Sequence, residues 1–477
     1  MSDTDPDEFT SLIDFYPYRT RFRTYHRMDP EPRSRDSILE ELRTMSQEED
    51  RLGDLGRVSG SIYHGDHDHY RFQTEAFGLF GHTNVLQRDM YPSATKLEAE
   101  IVAMTAGMLH GDAVPTIHPG EQVCGVITSG GTESLIDAML VYREWGRVEK
   151  GITEPEVILP VTAHVALSKG AHLLGMKVLR APLREDWLVD VDWVREHVTP
   201  NTVALVGSAG SYPYGLIDPI EGLAQVALDY DLGLHVDGCM GGFILPWAER
   251  LGLQIPRFDF RVPGVTSISA DTHKFGYGLK GTSVLLYRNN DLRRYQYFNY
   301  PDWPGGIYLS AGLAGSRSGG LIAATWAAMV NLGERGYIEI ADRIFKTAAA
   351  IRDGVRAIPD LEVFGDPTFI VAFRSPELDI YHVNDHLITS GWRLNALQLP
   401  PGLHFCVTRP NTAPGVVDAF LADLAAAVEY ARHPSRPSPR SGALYGLGGT
   451  ADGNDALGML LGAALDAMYE VAPADDG

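Results

Sequence analysis

The chain has 477 residues, 44% of them hydrophobic, and its 62 acidic against 40 basic residues give a formal net charge of −22. An acidic excess of this size argues against nucleic acid or an anionic membrane as a partner, and the length allows two or three domains. The three cysteines, Cys124, Cys239 and Cys406, are far apart and show no metal-ligand spacing. Because no apolar run reaches roughly 20 residues and no signal-peptide pattern is present, we expect a soluble, cytoplasmic protein without a transmembrane segment.

The first 55 residues are rich in charged side chains and predict an N-terminal arm with an amphipathic helix, not a domain. The segment 62–70 is dense in histidine and aspartate. It lacks the helical histidine spacing and the second ligand cluster of common metal sites. We therefore expect a solvated loop at the mouth of a site, with no metal bound.

Between about 95 and 330, short apolar runs alternate with helical stretches. The apolar runs lie at 157–159, 203–206 and 234–236, and the helical stretches at 132–146 and 219–230. This alternation is typical of a mostly parallel sheet covered by helices on both faces. It predicts a large α/β domain at 56–330.

The remainder, 331–477, predicts a smaller α+β domain. Its pattern is a helix at 338–357, strands near 361–373 and 403–408, and a helix at 415–432. A proline-rich connector at 433–440 and a terminal amphipathic helix near 453–470 complete this part of the chain.

A glycine turn marks the first candidate site. Gly130, Gly131 and Thr132 lie between an apolar strand ending at Thr128 and a predicted helix. Backbone N–H groups and the positive end of a helix favour a phosphate there. Taken alone, the turn is equally consistent with an ordinary helix start capped by Thr132.

Asp237 is a carboxylate inside an otherwise apolar strand, on the same face as His235. An unpaired buried carboxylate is costly, so it needs a partner. A protonated pyridine nitrogen is one such partner, and an arginine in a structural ion pair is the alternative.

Lys274 follows the β-prone run Val265–Ile268, directly after His273. A lysine buried at this position must find a counter-charge or lose its proton, and the neutral amine is a nucleophile that forms Schiff bases. The alternative is an exposed lysine at a strand end.

His164, just after the strand near 157–159, can stack on a flat ring or serve a structural role. Lysine, carboxylate and phosphate-type turn together predict a site for pyridoxal 5′-phosphate (PLP).

Several long motifs, in one order, resemble the sphingosine-1-phosphate lyase family of the PLP-dependent group II decarboxylase-like superfamily. The resemblance runs from about 55 to 470 and is strongest at Val126–Ser134, His235–Phe243, Val265–Lys274, Trp303–Tyr308, Ala314–Gly320, Leu397–Pro401 and His404–Thr408. It implies a fold type I enzyme with a mainly parallel seven-stranded sheet, a small α+β C-terminal domain and a homodimer with shared active sites. Eukaryotic members carry a membrane anchor, so this chain resembles the soluble bacterial type.

The resemblance also implies roles for individual residues. Lys274 forms the Schiff base with the cofactor, Asp237 pairs with its pyridine nitrogen, and His164 stacks on its ring. The phosphate of the cofactor is held by the glycine turn with His273, and by Ser316 of the other subunit. Around the phosphate and the reacting hydroxyl of the substrate, the family places Tyr63, Tyr212 and Lys280.

One position departs from the family pattern. Where the family has Asn-Pro-Leu-His, this chain has Asn84-Val85-Leu86-Gln87. Gln87 cannot titrate near neutral pH, so a phosphate-binding role of the family histidine is weakened here.

The expected reaction is retro-aldol cleavage of a phosphorylated long-chain 2-amino-3-hydroxy base to a fatty aldehyde and phosphoethanolamine, with Lys280, Tyr63 or freed Lys274 as base. Three alternatives stay open: an amino-acid decarboxylase on the same scaffold, a lyase or aldolase for an unphosphorylated β-hydroxy amine or amino acid, and a PLP-binding protein without turnover.

Overall fold

The computed structural model describes residues 17–116, 118, 121–441 and 451–469. Within these residues, no helix combines the length and the apolar character that a membrane crossing requires.

A seven-stranded sheet forms the centre of the fold. Its strands are β1 (Cys124–Thr128), β2 (Glu156–Pro160), β3 (Lys177–Ala181), β4 (Thr202–Ser208), β5 (Gly233–Asp237), β6 (Ser267–Ala270) and β7 (Ser283–Tyr287). The spatial order is β1-β7-β6-β5-β4-β2-β3, and only β7 runs antiparallel to its neighbours. Strands β2, β4, β5 and β6 are buried along their whole length, because helices cover both faces of the sheet. The predicted α/β architecture is confirmed.

Helices connect these strands, and further helices precede and follow them in the sequence. The α-helices of the described residues are Arg35–Asp54, His67–Phe80, Pro92–Met108, Gly131–Lys150, Val165–Leu173, Val191–Glu196, Ile220–Asp229, Leu245–Arg250, Asn290–Arg293, Gly319–Arg356, Ile380–Thr389, Val416–Arg432 and Ala451–Tyr469. Short 3₁₀ turns lie at Pro17–Thr20, Gly111–Ala113, Arg294–Gln296 and Arg409–Thr412.

Two smaller sheets follow in the chain. A hairpin joins β8 (Phe298–Tyr300) and β9 (Tyr308–Ser310). A four-stranded antiparallel sheet contains β10 (Glu362–Val363), β11 (Ile370–Arg374), β12 (Asn395–Leu397) and β13 (Gly402–Cys406), in the order β10-β11-β13-β12. The predicted strand at 361–373 is thus two strands separated by a turn.

The long helix Gly319–Arg356 corrects another prediction. The sequence pattern predicts a helix at 338–357 alone, but that stretch is only the second part of this helix. The two parts are separate helices that meet at a kink, where Gly333 has a non-helical backbone (φ 56°). A conformation with positive φ is open to glycine, which explains why the kink falls there.

The helices His67–Phe80 and Pro92–Met108 were not predicted. Both pack against the long helix Gly319–Arg356. Asp66 starts the first of them by accepting hydrogen bonds from the N–H groups of Asp68 and His69. The predicted terminal helix is present as Ala451–Tyr469, while residue 470 and the first 16 residues of the arm lie outside the described residues.

Candidate active site

The candidate site lies at the carboxyl ends of the central strands. Asp237 is the last residue of β5 and pairs in register with Ser208 of β4 and Ser269 of β6. In open α/β sheets, ligands bind in the crevice beyond these strand ends. Lys274 follows β6, and the glycine turn follows β1, so the topology directs the main sequence candidates to one edge of the sheet.

The glycine turn has the form of an anion site. The helix Gly131–Lys150 begins without a side-chain cap, so its first N–H groups remain free of side-chain partners. Gly130 has φ +152°, and a Cβ there would lie 3.2 Å from Cε1 of His273. A Cβ on Gly131 would lie 2.7 and 2.9 Å from the two carboxylate oxygens of Asp271. Both positions therefore require glycine, and the exposed Thr132 follows them at the helix start.

Replacing Gly131 by alanine is expected to weaken cofactor binding. Overpacking of a tight site typically costs about 1–3 kcal/mol, equivalent to roughly a 10- to 100-fold loss of affinity. Titration of the cofactor-free protein with PLP, followed by absorbance, measures this loss. Gly107→Ala is the matched control, because Gly107 is helical and has open space where its Cβ would be. Equal affinities for the two variants would contradict the prediction.

Lys274 forms an ion pair with Asp271. Its Nζ lies 2.8 Å from Oδ2 of Asp271, a carboxylate that is 1% exposed. Burial opposes the charge on Lys274, but Asp271, followed by Cys239 and Tyr63, outweighs burial and raises the pKa of Lys274. The side chain of Lys274 is only 21% exposed, so the alternative of a solvent-exposed lysine is wrong.

Lys280 and Tyr63 share a cavity with Lys274. The cavity measures about 250 Å³, and His273 also lines it. Nζ of Lys280 lies 4.6 Å from the ring centre of Tyr63 and 3.4 Å from the carbonyl oxygen of His273. Lys280 is exposed as a residue, so its amine keeps part of its contact with water while the surrounding protein removes the rest. This desolvation, followed by the charge of Lys274, lowers the pKa of Lys280 to about 8.

Burial changes the pKa of the neighbouring Tyr63 phenol in the opposite direction from that of Lys280. Tyr63 is 8% exposed and packs edge-on against Phe275 at 5.0 Å between ring centres. Burial raises the pKa of Tyr63. The phenol therefore stays neutral across the physiological range, which favours Lys280 over Tyr63 as a base.

Asp237 is buried and forms no ion pair with an arginine among the described residues. Its Oδ1 accepts a hydrogen bond from the backbone N–H of Cys239 at 3.0 Å, and no ion pair to it is formed within the described part of the chain. The alternative of a structural Asp–Arg pair is therefore not supported. His235, on the same face of β5, is held by Ser267 Oγ at 2.7 Å and Ser269 Oγ at 3.2 Å.

His164 and Tyr212 form an aromatic wall. His164 is half-buried and precedes the helix Val165–Leu173, where its Nδ1 accepts a hydrogen bond from the N–H of Ala166. The ring of Tyr212 stands edge-on to His164 at 6.0 Å and to His404 at 4.9 Å. His404 comes from the small sheet, and its position in this wall was not predicted.

Gln87 and Ser316 lie near each other, and like Asp237, His164 and the glycine turn they do not line the cavity around Lys274. Gln87 and Ser316 are both exposed. Asn84 joins them, because its Nδ2 donates to Ser316 Oγ at 3.0 Å and its carbonyl oxygen accepts the N–H of Gln87 at 3.1 Å. The neighbours of Ser316 reach the glycine turn of the same chain, because the N–H of Ala314 donates to Oε1 of Glu133 at 3.3 Å and Arg317 donates to the carbonyl oxygen of Ile127 at 2.8 Å.

The segment 62–70 is not a solvated loop, which corrects the prediction for it. His64 and His69 are 5% and 8% exposed and stack at 3.8 Å between ring centres. The helix His67–Phe80 begins inside the segment, and Nε2 of His69 lies 2.8 Å from the carbonyl oxygen of Tyr277. Among the residues that the structure describes, no group of three or more His, Cys, Asp or Glu side chains converges as metal ligands.

Asp271 is the main site residue that the sequence candidates omit. The signal for it was present, since an acidic residue three positions before a lysine in a turn can reach that lysine. Its partnership depends on the turn geometry after β6, which periodicity does not reveal.

Together these features fit PLP. The uncapped helix start at Gly131 suits a phosphate, the amine of Lys274 suits an aldehyde, and the buried Asp237 suits a ring nitrogen. Cys239 connects these parts, because its Sγ lies 3.0 Å from the Cβ position of Gly131 and its N–H binds Asp237.

A larger groove lies at the opposite end of the sheet. It measures about 820 Å³, and its lining includes Gly233 at the start of β5 and Arg288 just after β7. Lys150 there is paired with Asp231, and Arg294 with Asp291. The groove holds none of the candidate residues, so the smaller cavity is the candidate active site.

Comparisons with known proteins agree with this site. Residues 68–375 match the protein family described as "Pyridoxal-dependent decarboxylase conserved domain". Sphingosine-1-phosphate lyase of Arabidopsis thaliana is 44% identical over 87% of this chain and 76% of the plant protein. Sphingosine-1-phosphate lyase 1 of Mus musculus is 39% identical over 92% of this chain and 76% of the mouse protein.

Solved structures extend the comparison to the fold. The structure of sphingosine-1-phosphate lyase from Burkholderia pseudomallei is 51% identical, with a TM-score of 0.90, and covers 96% of this chain and 100% of that one. Glutamate decarboxylase of Lactobacillus brevis is 18% identical, with a TM-score of 0.74 over 89% of this chain and 100% of that one, and shares the fold alone. The chain therefore belongs to the sphingosine-1-phosphate lyase family and is a PLP-dependent lyase of fold type I.

Proposed function

We propose that this protein cleaves the C2–C3 bond of a phosphorylated long-chain 2-amino-3-hydroxy base and releases a fatty aldehyde and phosphoethanolamine. The names of its relatives in plants, animals and bacteria support this substrate class. The observation that carries the proposal is the pair of lysines in one cavity, Lys274 and Lys280. Retro-aldol cleavage needs one amine for the cofactor and a second group that removes a hydroxyl proton.

The two lysines differ in protonation. Asp271 is the main group that raises the pKa of Lys274 against burial, whereas desolvation brings the pKa of Lys280 to about 8. An amine with a pKa near the working pH is an efficient general base. Lys280 is therefore the group that we assign to the hydroxyl proton.

The reaction assigns one task to each residue. PLP, when bound, supplies the electron sink that stabilises the charge left on C2. Lys280 takes the proton of the C3 hydroxyl, the C2–C3 bond breaks with its electron pair left on C2, and C3 becomes the aldehyde carbon. Lys274 returns a proton to C2. Asp237 keeps the ring nitrogen protonated, and Gly130, Gly131, Thr132 and His273 hold the phosphate of the cofactor.

A pH profile tests the role of Lys280. For the wild-type protein we expect kcat/KM to rise with pH around pH 8, because the neutral amine is the base and the amine loses its proton as pH rises. Desolvation, the larger cause of the shift, remains when the cofactor is bound. For Lys280→Gln we expect a loss of roughly 100-fold or more and no rise near pH 8. Lys169→Gln is the control, since Lys169 is exposed outside the cavity. A rise near pH 8 that survives in Lys280→Gln would assign the base elsewhere.

Two observations favour an unphosphorylated amine as a second candidate substrate. Gln87 replaces the family histidine, and Asp50 and Asp54 line the cavity, where they repel a phosphate. Incubation with phosphorylated and unphosphorylated long-chain bases, with products identified by mass spectrometry, separates the candidates. Phosphoethanolamine supports the first proposal, ethanolamine the second, and CO₂ from amino acids a decarboxylase.

We also infer a homodimer with shared active sites. The hairpin β8–β9 exposes large apolar side chains that a monomer leaves in water: Phe298 59%, Trp303 52%, Ile307 81% and Leu309 63% exposed. Exposed apolar surfaces of this kind mark protein interfaces. The family resemblance, which assigns Ser316 to the cofactor phosphate of the other subunit, extends the inference to shared active sites.

Mixed dimers test the sharing of sites. Lys274→Ala and Ser316→Trp are each expected to be inactive as homodimers. Co-expression of the two with different tags restores one intact site per mixed dimer, so a random mixture should recover about a quarter of wild-type activity. No recovery from purified mixed dimers would place both residues in the same subunit's site.

The division of the chain at residues 55 and 330 and a cytoplasmic location remain parts of the proposal. The kink at Gly333 supports a boundary near 330. The thiols of the three cysteines are free and buried, which is typical of a reducing compartment. Limited proteolysis and cell fractionation test these two points.

A further inference from the structure

Asp271 is a buried carboxylate whose surroundings leave it facing the candidate cofactor lysine. It is 1% exposed, with Oδ2 2.8 Å from Nζ of Lys274 and 3.6 Å from Nε2 of His273. Neither oxygen receives a hydrogen bond of ordinary geometry from the described residues. A carboxylate buried in this way is costly unless an opposite charge compensates it, and Lys274 is the nearest cation.

The carboxylate lies next to the glycine turn, on a stretch of chain that is itself buried. A Cβ on Gly131 would come within 2.7 Å of it. On the chain side, the adjacent Thr272 is fully buried and its hydroxyl donates to Thr282 Oγ1 at 2.7 Å. These contacts anchor the backbone that carries Asp271 next to the glycine turn.

We propose that Asp271 is a positioning residue for Lys274, which it holds as an ammonium ion whenever Lys274 is not joined to the cofactor. The inference rests on the proposed role of Lys274 as the cofactor lysine. Asp271 would thereby preserve the proton that Lys274 delivers to C2, and it would shift the uptake of the cofactor toward alkaline pH, because only the neutral amine attacks the aldehyde.

The charges around Lys274 agree with this assignment. The titratable groups that face it or its carboxylate are Asp271, His273, Lys280, Tyr63, Cys239 and Cys406. Burial raises the pKa of Tyr63, Cys239 and Cys406, so these three are neutral at physiological pH. Burial opposes the charged form of Asp271, but Lys274 and then His273 outweigh it and lower the pKa of Asp271. Asp271 is therefore the anion that keeps Lys274 charged.

The test compares cofactor uptake in wild-type protein and Asp271→Asn. Cofactor is removed from each full-length holoenzyme, and the rate of PLP attachment is followed by absorbance between pH 6 and pH 10. Without its counter-ion, the buried Lys274 loses its proton more easily, so attachment at pH 7 should become at least about tenfold faster, the factor for one pKa unit. The rise of the rate with pH should also shift downward. Identical pH profiles would overturn the proposal.

A control separates this effect from loss of a buried carboxylate in general. Asp259 is also 1% exposed and is paired with Arg261 outside the cavity. Asp259→Asn should leave the pH profile of attachment unchanged. Borohydride reduction of the holoenzyme, with peptide mass spectrometry, first identifies the modified lysine. A tag on another lysine refutes the role of Lys274, whereas a tag on Lys274 with unchanged profiles refutes only the role of Asp271.

A second measurement needs no variant, in case Asp271→Asn does not fold. Trace labelling of the cofactor-free wild-type protein with acetic anhydride, read by mass spectrometry, reports the neutral fraction of each lysine as pH rises. Labelling of Lys274 should rise at a higher pH than labelling of the exposed Lys169. Labelling of Lys274 at the same or a lower pH would overturn the proposal.

Discussion

Replacing Lys274 by alanine is expected to abolish covalent attachment of PLP and to lower kcat by on the order of 10⁴-fold or more, the scale seen when a covalent catalyst is removed. The physical reason is that the cavity offers one amine for the cofactor aldehyde and a different one, Lys280, for the substrate hydroxyl. Absorbance of the bound cofactor and product formation measure the two effects.

Lys280→Ala is the informative control for this prediction. That variant removes an amine from the same cavity but leaves Lys274 in place, so the cofactor should stay covalently attached while turnover falls. If Lys274→Ala kept a reducible bond to PLP, another side chain would be the attachment point and the assignment would fail.

Replacing Asp237 by asparagine is expected to lower kcat by roughly 10³-fold while PLP still binds. The loss of a preorganised charge at the reacting group typically costs about 10²- to 10⁴-fold. Asparagine keeps the shape and the hydrogen bond to the N–H of Cys239, but it carries no negative charge to keep the ring nitrogen protonated. Stopped-flow kinetics and cofactor titration separate the effect on turnover from the effect on binding.

Asp218→Asn provides the matched control. Asp218 is another buried carboxylate of the same α/β region, 2% exposed, and its Oδ2 accepts the N–H of Ser208 at 2.8 Å. Its charge interacts with that of Asp237, but Asp218 bonds a backbone N–H group of the fold, so this substitution should change kcat by less than about tenfold. Similar losses in both variants would mean that Asp237 supports the fold and not the ring nitrogen.

Much of the site could be predicted from the sequence because its parts are local. A glycine pair between a strand and a helix, a carboxylate within a buried strand and a lysine after the next strand are each visible in a few residues. The conformations of strand, turn and helix start depend mainly on neighbouring residues, so Gly130, Asp237 and Lys274 were identified without coordinates. The α/β architecture followed from the alternation of short apolar runs and helices for the same reason.

Long-range packing was less predictable. The pattern at 62–70 looked like a solvated loop, because its residues are polar. In the structure, the helix His67–Phe80 packs against the long helix Gly319–Arg356, and His64 and His69 are buried. Polar composition does not show that a distant part of the chain will cover a segment.

The residue pattern alone was enough to predict the fold class, Lys274 as a candidate cofactor lysine and the glycine turn as a candidate phosphate site. Contacts between distant segments bury the carboxylate of Asp271 beside Lys274 and create the surroundings that lower the pKa of Lys280. The reason is physical: burial and the distance between charges depend on contacts between segments that are remote in sequence, and these quantities govern protonation.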